Sequence, residues 1–133
     1  MITATKTKLI AVVDDDELIR IALQRLLKSS GYAVALFPSA EDFLKSDQLP
    51  EIACLIADIR MPGMSGLDLQ AKLNSERSAT PIIFITAHGD EKMRLQAMRG
   101  GAVGFLAKPF DAGILLDRVR SALEAISGSN DLV

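Results

Sequence analysis

The chain has 133 residues, the length of one domain, and its 49% hydrophobic content can fill a single core without disulfides or a structural metal. A formal net charge of −2 offers no basic footprint for a phosphate backbone, so no direct nucleic-acid binding by this chain is expected, and a single cysteine, Cys54, excludes an internal disulfide or a cysteine metal cluster. No apolar run approaches a membrane span and no signal peptide opens the chain, which reads as soluble and cytoplasmic with no membrane partner.

After a short polar start, Lys8 to Val13 is a continuous apolar run, the pattern of a buried strand. From Asp16 to Ser30, Leu18, Ile19, Ala22, Leu23, Leu26 and Leu27 recur at helical spacing, with Asp16 as N-cap and Ser30-Gly31 as the stop. Ala33 to Phe37 reads as a second strand, and Ser39 caps a helix running through Leu44. Ile52 to Ala57 is a third strand, in which Cys54 reads as a small buried apolar residue. A loop holding Pro62, Gly63 and Gly66 precedes a helix marked by Leu69 and Leu73. Pro81 to Thr86 is a fourth strand, Asp90 to Arg99 a helix stopped by Gly100-Gly101, and Val103 to Ala107 a fifth strand. The last helix, Asp111 to Ile126, lines up Leu115, Val119, Ala122 and Ile126. Residues 1–126 form the domain, and 127–133 read as a linker or tail.

Strict alternation of strand and helix implies parallel strands joined by right-handed helical crossovers. The expected fold is a flavodoxin-like, doubly wound α/β sheet of five strands, order 2-1-3-4-5, with five helices. Such folds carry their chemistry at the carboxyl ends of the strands. Here those ends hold Asp14, Asp15 and Asp16, then Asp58, then Thr86, then Lys108. Each alone has a plain explanation as a cap, a turn residue or a surface charge; together they describe a converging site.

Carboxylates gathered at one point repel, so either their pKa values rise or a cation joins them. Mg²⁺ suits an all-oxygen set and keeps several waters. Asp15 and Asp58 would ligate directly, Asp14 through water, and the backbone carbonyl of Arg60 would complete the protein's share. A carboxylate beside an open metal position can attack phosphorus, and Asp58 is the candidate nucleophile. Lys108 would pair with it and then with a phosphoryl oxygen, and Thr86 would donate a hydrogen bond to another. His88, the one histidine, reads as a loop residue.

Val12-Val13-Asp14-Asp15-Asp16, Asp58 through Gly66, Ile85-Thr86-Ala87 and Gly104 through Phe110 resemble the receiver domain of two-component response regulators. The resemblance runs from about Lys8 to Ala125, and the stretches Thr86 to Asp90 and Ala97 to Ala102 are similar to receivers of FixJ-type transcription regulators. It implies Asp58 as phosphoacceptor from a histidine kinase, Asp14 and Asp15 as the metal-binding pair, and Lys108 as phosphate partner. It also implies Thr86 and Phe105 as a switch pair and a cis bond before Pro109. On this reading the chain is a signalling domain, not a turnover enzyme, that assists its own phosphorylation and dephosphorylation. The altered surface would be the fourth helix, fifth strand and fifth helix, flanked by Arg94, Arg99, Arg118, Arg120, Asp111 and Asp117, with phosphorylation-dependent homodimerisation as the expected output. Arg60 carries a long cation two residues past the acceptor, within reach of the phosphoryl group.

Two other aspartyl or phosphate chemistries fit less well, as does a pseudo-receiver without phosphorylation. A haloacid dehalogenase-type phosphohydrolase wants a Thr where this chain has Leu18. A flavodoxin-type cofactor site wants Gly, Ser and Thr donors after the first strand, where this chain has three carboxylates.

Overall fold

Five apolar runs become the five strands of one sheet. A computed structural model describes the backbone of residues 8–131 and the side chains of residues 8–125. The strands are β1 (Leu9–Val13), β2 (Ala33–Phe37), β3 (Ile52–Asp58), β4 (Ile82–Thr86) and β5 (Gly104–Ala107). They alternate with α1 (Glu17–Ser29), α2 (Ala40–Lys45), α3 (Gly66–Ser75), α4 (Glu91–Arg99) and α5 (Ala112–Asp131). The sheet order is β2-β1-β3-β4-β5, every neighbouring pair parallel.

Both faces of the sheet are covered, so the central strands are apolar throughout. Successive side chains point to opposite faces. Ala11, Val13, Leu55, Ala57 and Phe84 therefore join Phe43, Leu69, Leu73 and Ala97 from α2, α3 and α4. Ile10, Val12, Cys54, Ile56, Ile83 and Ile85 meet Leu23 and Leu27 of α1 and Leu115, Val119 and Ala122 of α5. Burial pushes the Cys54 thiol up to about 12, which suits a core residue and leaves almost no thiolate at neutral pH.

Capping explains most helix boundaries. Asp16 accepts from the Leu18 amide, Ser39 from Asp42, and Asp90 from Met93. Ser65 and Asp68 form a reciprocal capping box on α3. Four details differ from the sequence reading. Leu18 is 77% exposed, because at 100° per residue it points about 140° away from Leu23. Leu49–Glu51, ahead of β3, forms a short 3-10 turn. Gly66 opens α3 instead of lying in the loop. Finally, α5 runs on to Asp131, past Ile126, whose side chain lies outside those described. Among the described residues, no helix is long and apolar enough to cross a membrane.

Candidate functional site

Parallel strands all end on one side, and that geometry gathers the polar residues. Asp14 follows β1, Asp58 closes β3, Thr86 closes β4 and Lys108 follows β5. Asp14 is 2% exposed, Asp58 6% and Thr86 1%, whereas Asp15 faces solvent. The ligand oxygens of Asp14, Asp15 and Asp58 lie within 4.8 Å of one another.

Lys108 holds this acidic group together. Its Nζ donates at 2.9 Å to Asp58 Oδ2 and lies 2.9 Å from Asp14 Oδ2. Burial raises the Asp14 carboxyl above its ordinary range, against the lowering effects of the Lys108 bond and the Asp16 amide. Burial also works against the Lys108 charge, but the bonds to Asp14 and Asp58 outweigh it and hold the ammonium above its usual value. Its contribution to stability is therefore intact at neutral pH and is lost only as pH rises through that raised value.

The second oxygen of the Asp58 carboxylate is also spoken for. Oδ1 accepts the Arg60 amide at 3.2 Å, and the Arg60 guanidinium donates at 3.3 Å to the His88 carbonyl. Arg60 thus spans from the loop after β3 to the loop after β4. The α3 N-terminus packs on the same backbone: the Gly66 amide donates to the Ile59 carbonyl at 2.9 Å, and a Cβ on Gly66 would stand 2.2 Å from the Asp58 carbonyl oxygen. Only glycine fits that approach.

Thr86 is the exception to an otherwise paired site. Its Oγ1 is the one buried side-chain polar atom without a hydrogen-bond partner among the described residues. An orphaned buried hydroxyl costs about 1–3 kcal/mol, so an oxygen brought within its reach would be stabilised. Phe105, half-buried on β5, and the Thr86 methyl both crowd Gly89, where a Cβ would stand 2.9 Å from the ring and 2.7 Å from the methyl. The Lys108–Pro109 bond is cis, as the resemblance implies.

Each predicted side chain is thus in the cluster or beside it, His88 contributing only its carbonyl. Two contacts beside the site have no signature in the sequence. Arg20 of α1 donates to the Asp14 carbonyl at 2.7 Å, and Glu41 of α2 accepts the Met64 amide at 2.9 Å. Neither residue carries a local signal, since a helical Arg or a first-turn Glu is ordinary.

The donor set fits a hard divalent cation: three carboxylates and one ammonium sum to a formal −2, which a dication neutralises. Removal of Lys108 should therefore be felt in the resting state. Lys108→Ala should unfold about 1–3 kcal/mol more easily in urea at pH 7 without metal, because two buried carboxylates lose their shared cation. The deficit should shrink as pH falls through the raised Asp14 value, since a protonated carboxyl no longer repels Asp58. An unchanged midpoint across that range would mean that water already screens the pair.

A family profile described as the response regulator receiver domain matches residues 10–120. Nodulation protein W of Bradyrhizobium diazoefficiens is 47% identical over 123 residues, 92% of this chain and 54% of that protein. Transcriptional regulatory protein FixJ of the same organism is 41% identical over 116 residues, 86% of this chain and 56% of that one. The chain thus spans about half the length of the curated relatives it matches. The crystal structure of FixJ-N superposes with a TM-score of 0.79 at 37% identity, covering 90% of this chain and 96% of that one. The response regulator StyR superposes at 0.86 and 41% identity, covering 96% and 64%.

Proposed function

The chain belongs to the response regulator receiver family, and from that membership we propose that Asp58 accepts a phosphoryl group from a histidine kinase in a Mg²⁺-dependent reaction. The observation that carries this reading is the state of Asp58: a buried strand-end carboxylate with an ammonium at 2.9 Å and an orphaned hydroxyl at the next strand end.

The residues divide the work. An Asp58 oxygen forms the new bond to phosphorus as the bond from phosphorus to the donor's nitrogen, or to acetate in acetyl phosphate, breaks in line. The Lys108 ammonium, already on Asp58, passes to a phosphoryl oxygen and offsets the added charge. The Thr86 hydroxyl donates to another, gaining the partner it lacks at rest. The acidic pair Asp14 and Asp15, Asp58 and the Arg60 carbonyl would hold Mg²⁺, which supplies charge neutralisation during transfer. The site assists formation and loss of the acyl phosphate. The output is carried by longer proteins of this type, several of which are named as transcriptional regulatory proteins.

Metal dependence is the test. With Mg²⁺ tenfold above its dissociation constant, binding stabilises the fold by about 1.4 kcal/mol, which raises the melting temperature by about 3–6 °C. Asp15→Ala should abolish that rise while leaving the metal-free melting temperature nearly unchanged, since Asp15 is exposed. EDTA should stop phosphorylation by acetyl phosphate, and continued labelling in its presence would remove the metal from the reaction.

A further inference from the structure

We propose that Glu41, on α2 and outside the acidic cluster, is a positioning residue for phosphoryl transfer at Asp58; the proposal rests on the reading of Asp58 as acceptor. The loop between Asp58 and α3 is tied at two places. At its foot, the Gly66 amide donates to the Ile59 carbonyl and the helix start lies on the Asp58 backbone. At its tip, Glu41 Oε2 accepts the Met64 amide at 2.9 Å. The same carboxylate lies over Gly63, where φ is +76° and a Cβ would stand 2.5 Å from Oε2. The tip is thus shaped to receive this side chain, with glycine required by both the backbone angle and the space.

Glu41 is itself on a firm base. Ala40 and Phe43 of α2 are buried, Phe43 meets Phe37 edge to face, and Ser39 caps the helix. Arg60 lies inside the tied loop, and its amide holds Asp58 Oδ1. A tip freed from α2 lets that amide wander, and with it the direction of the nucleophilic carboxylate. Groups that must be oriented for in-line attack lose rate steeply when their support is slack.

A simpler role for a first-turn glutamate is to favour the α2 dipole, and the experiment separates the two. Glu41→Gln keeps an acceptor oxygen for Met64 but loses the charge; Glu41→Ala loses both; Ser39→Ala weakens α2 without touching the loop. Phosphorylation by acetyl phosphate with saturating Mg²⁺ should slow about tenfold in Glu41→Ala and stay within about twofold of wild type in Glu41→Gln and Ser39→Ala. The Arg60 amide resonance should move in Glu41→Ala and not in Ser39→Ala. A wild-type rate in Glu41→Ala overturns the proposal, as does an equal loss in Glu41→Gln or in Ser39→Ala. A wild-type chain that takes no phosphoryl group overturns the Asp58 reading, and this proposal with it.

Discussion

Asp58→Asn should bring phosphorylation by acetyl phosphate to less than about a hundredth of the wild-type level, because an amide oxygen is no nucleophile at phosphorus. Intact mass reads the result directly: wild type gains one phosphoryl unit, the variant none. The fold should survive the change. Asn keeps one oxygen, enough for Lys108 at the cost of the bond from the Arg60 amide, and it removes one of two carboxylates competing for the same ammonium. Asp14 is the alternative acceptor to watch. It is as near to Lys108 as Asp58 is, and each is held by one backbone amide, but its carboxylate is more deeply buried and has its charge disfavoured by that burial. A full mass increase in Asp58→Asn would move the acceptor there.

The site was legible because of where parallel strands end. Runs such as Ile52 to Ala57 and Ile82 to Ile85 are apolar on both faces only if helices cover both, and that implies crossovers bringing all carboxyl ends together. Asp14, Asp58, Thr86 and Lys108 could then be assembled with no knowledge of any contact. Contacts between elements were a different matter. Leu18 fits a helical repeat as well as Leu23 does, and only the direction of the sheet shows it to be outside. Gly66 follows Gly63 by only three residues, yet it starts a helix against Asp58 while Gly63 turns the chain at φ +76°. Gln70 is buried because its Nε2 donates to the Ala97 carbonyl at 2.8 Å, while Asn74, one turn on, donates to Gly100. Glu41, Arg20 and Gln70 act across the fold, through partners 23, 6 and 27 residues away in sequence, which no local pattern encodes.

The output surface gives the second large effect. Beryllofluoride with Mg²⁺, which mimics a phosphoryl group on Asp58, should move the chain from monomer toward dimer in sedimentation, and Thr86→Ala should keep phosphorylation but lose this response. At rest the buried Thr86 hydroxyl has no hydrogen-bond partner. Its movement toward a phosphoryl oxygen would draw the methyl away from Gly89 and open space for the Phe105 ring, which lies where a Cβ on that glycine would stand. Phe105 is already more than half buried at rest, so at most about a third of the gain from burying a Phe is left, about 0.5–1 kcal/mol, a roughly two- to fivefold bias. The surface it would alter is less charged than its composition suggests. Arg94 is paired with Glu91 and Arg120 with Asp117 on their own helices, leaving exposed Leu95 and Met98 of α4, Val103 before β5 and Ile114 of α5. A self-complementary pairing would draw its energy from these apolar groups and its register from Arg99 and Arg118 set against acidic groups of the same face such as Asp111. Leu95→Glu should therefore block association while leaving the phosphorylation rate unchanged. Monomers in both states at high micromolar concentration would rule out the dimer and leave the phosphoacceptor standing.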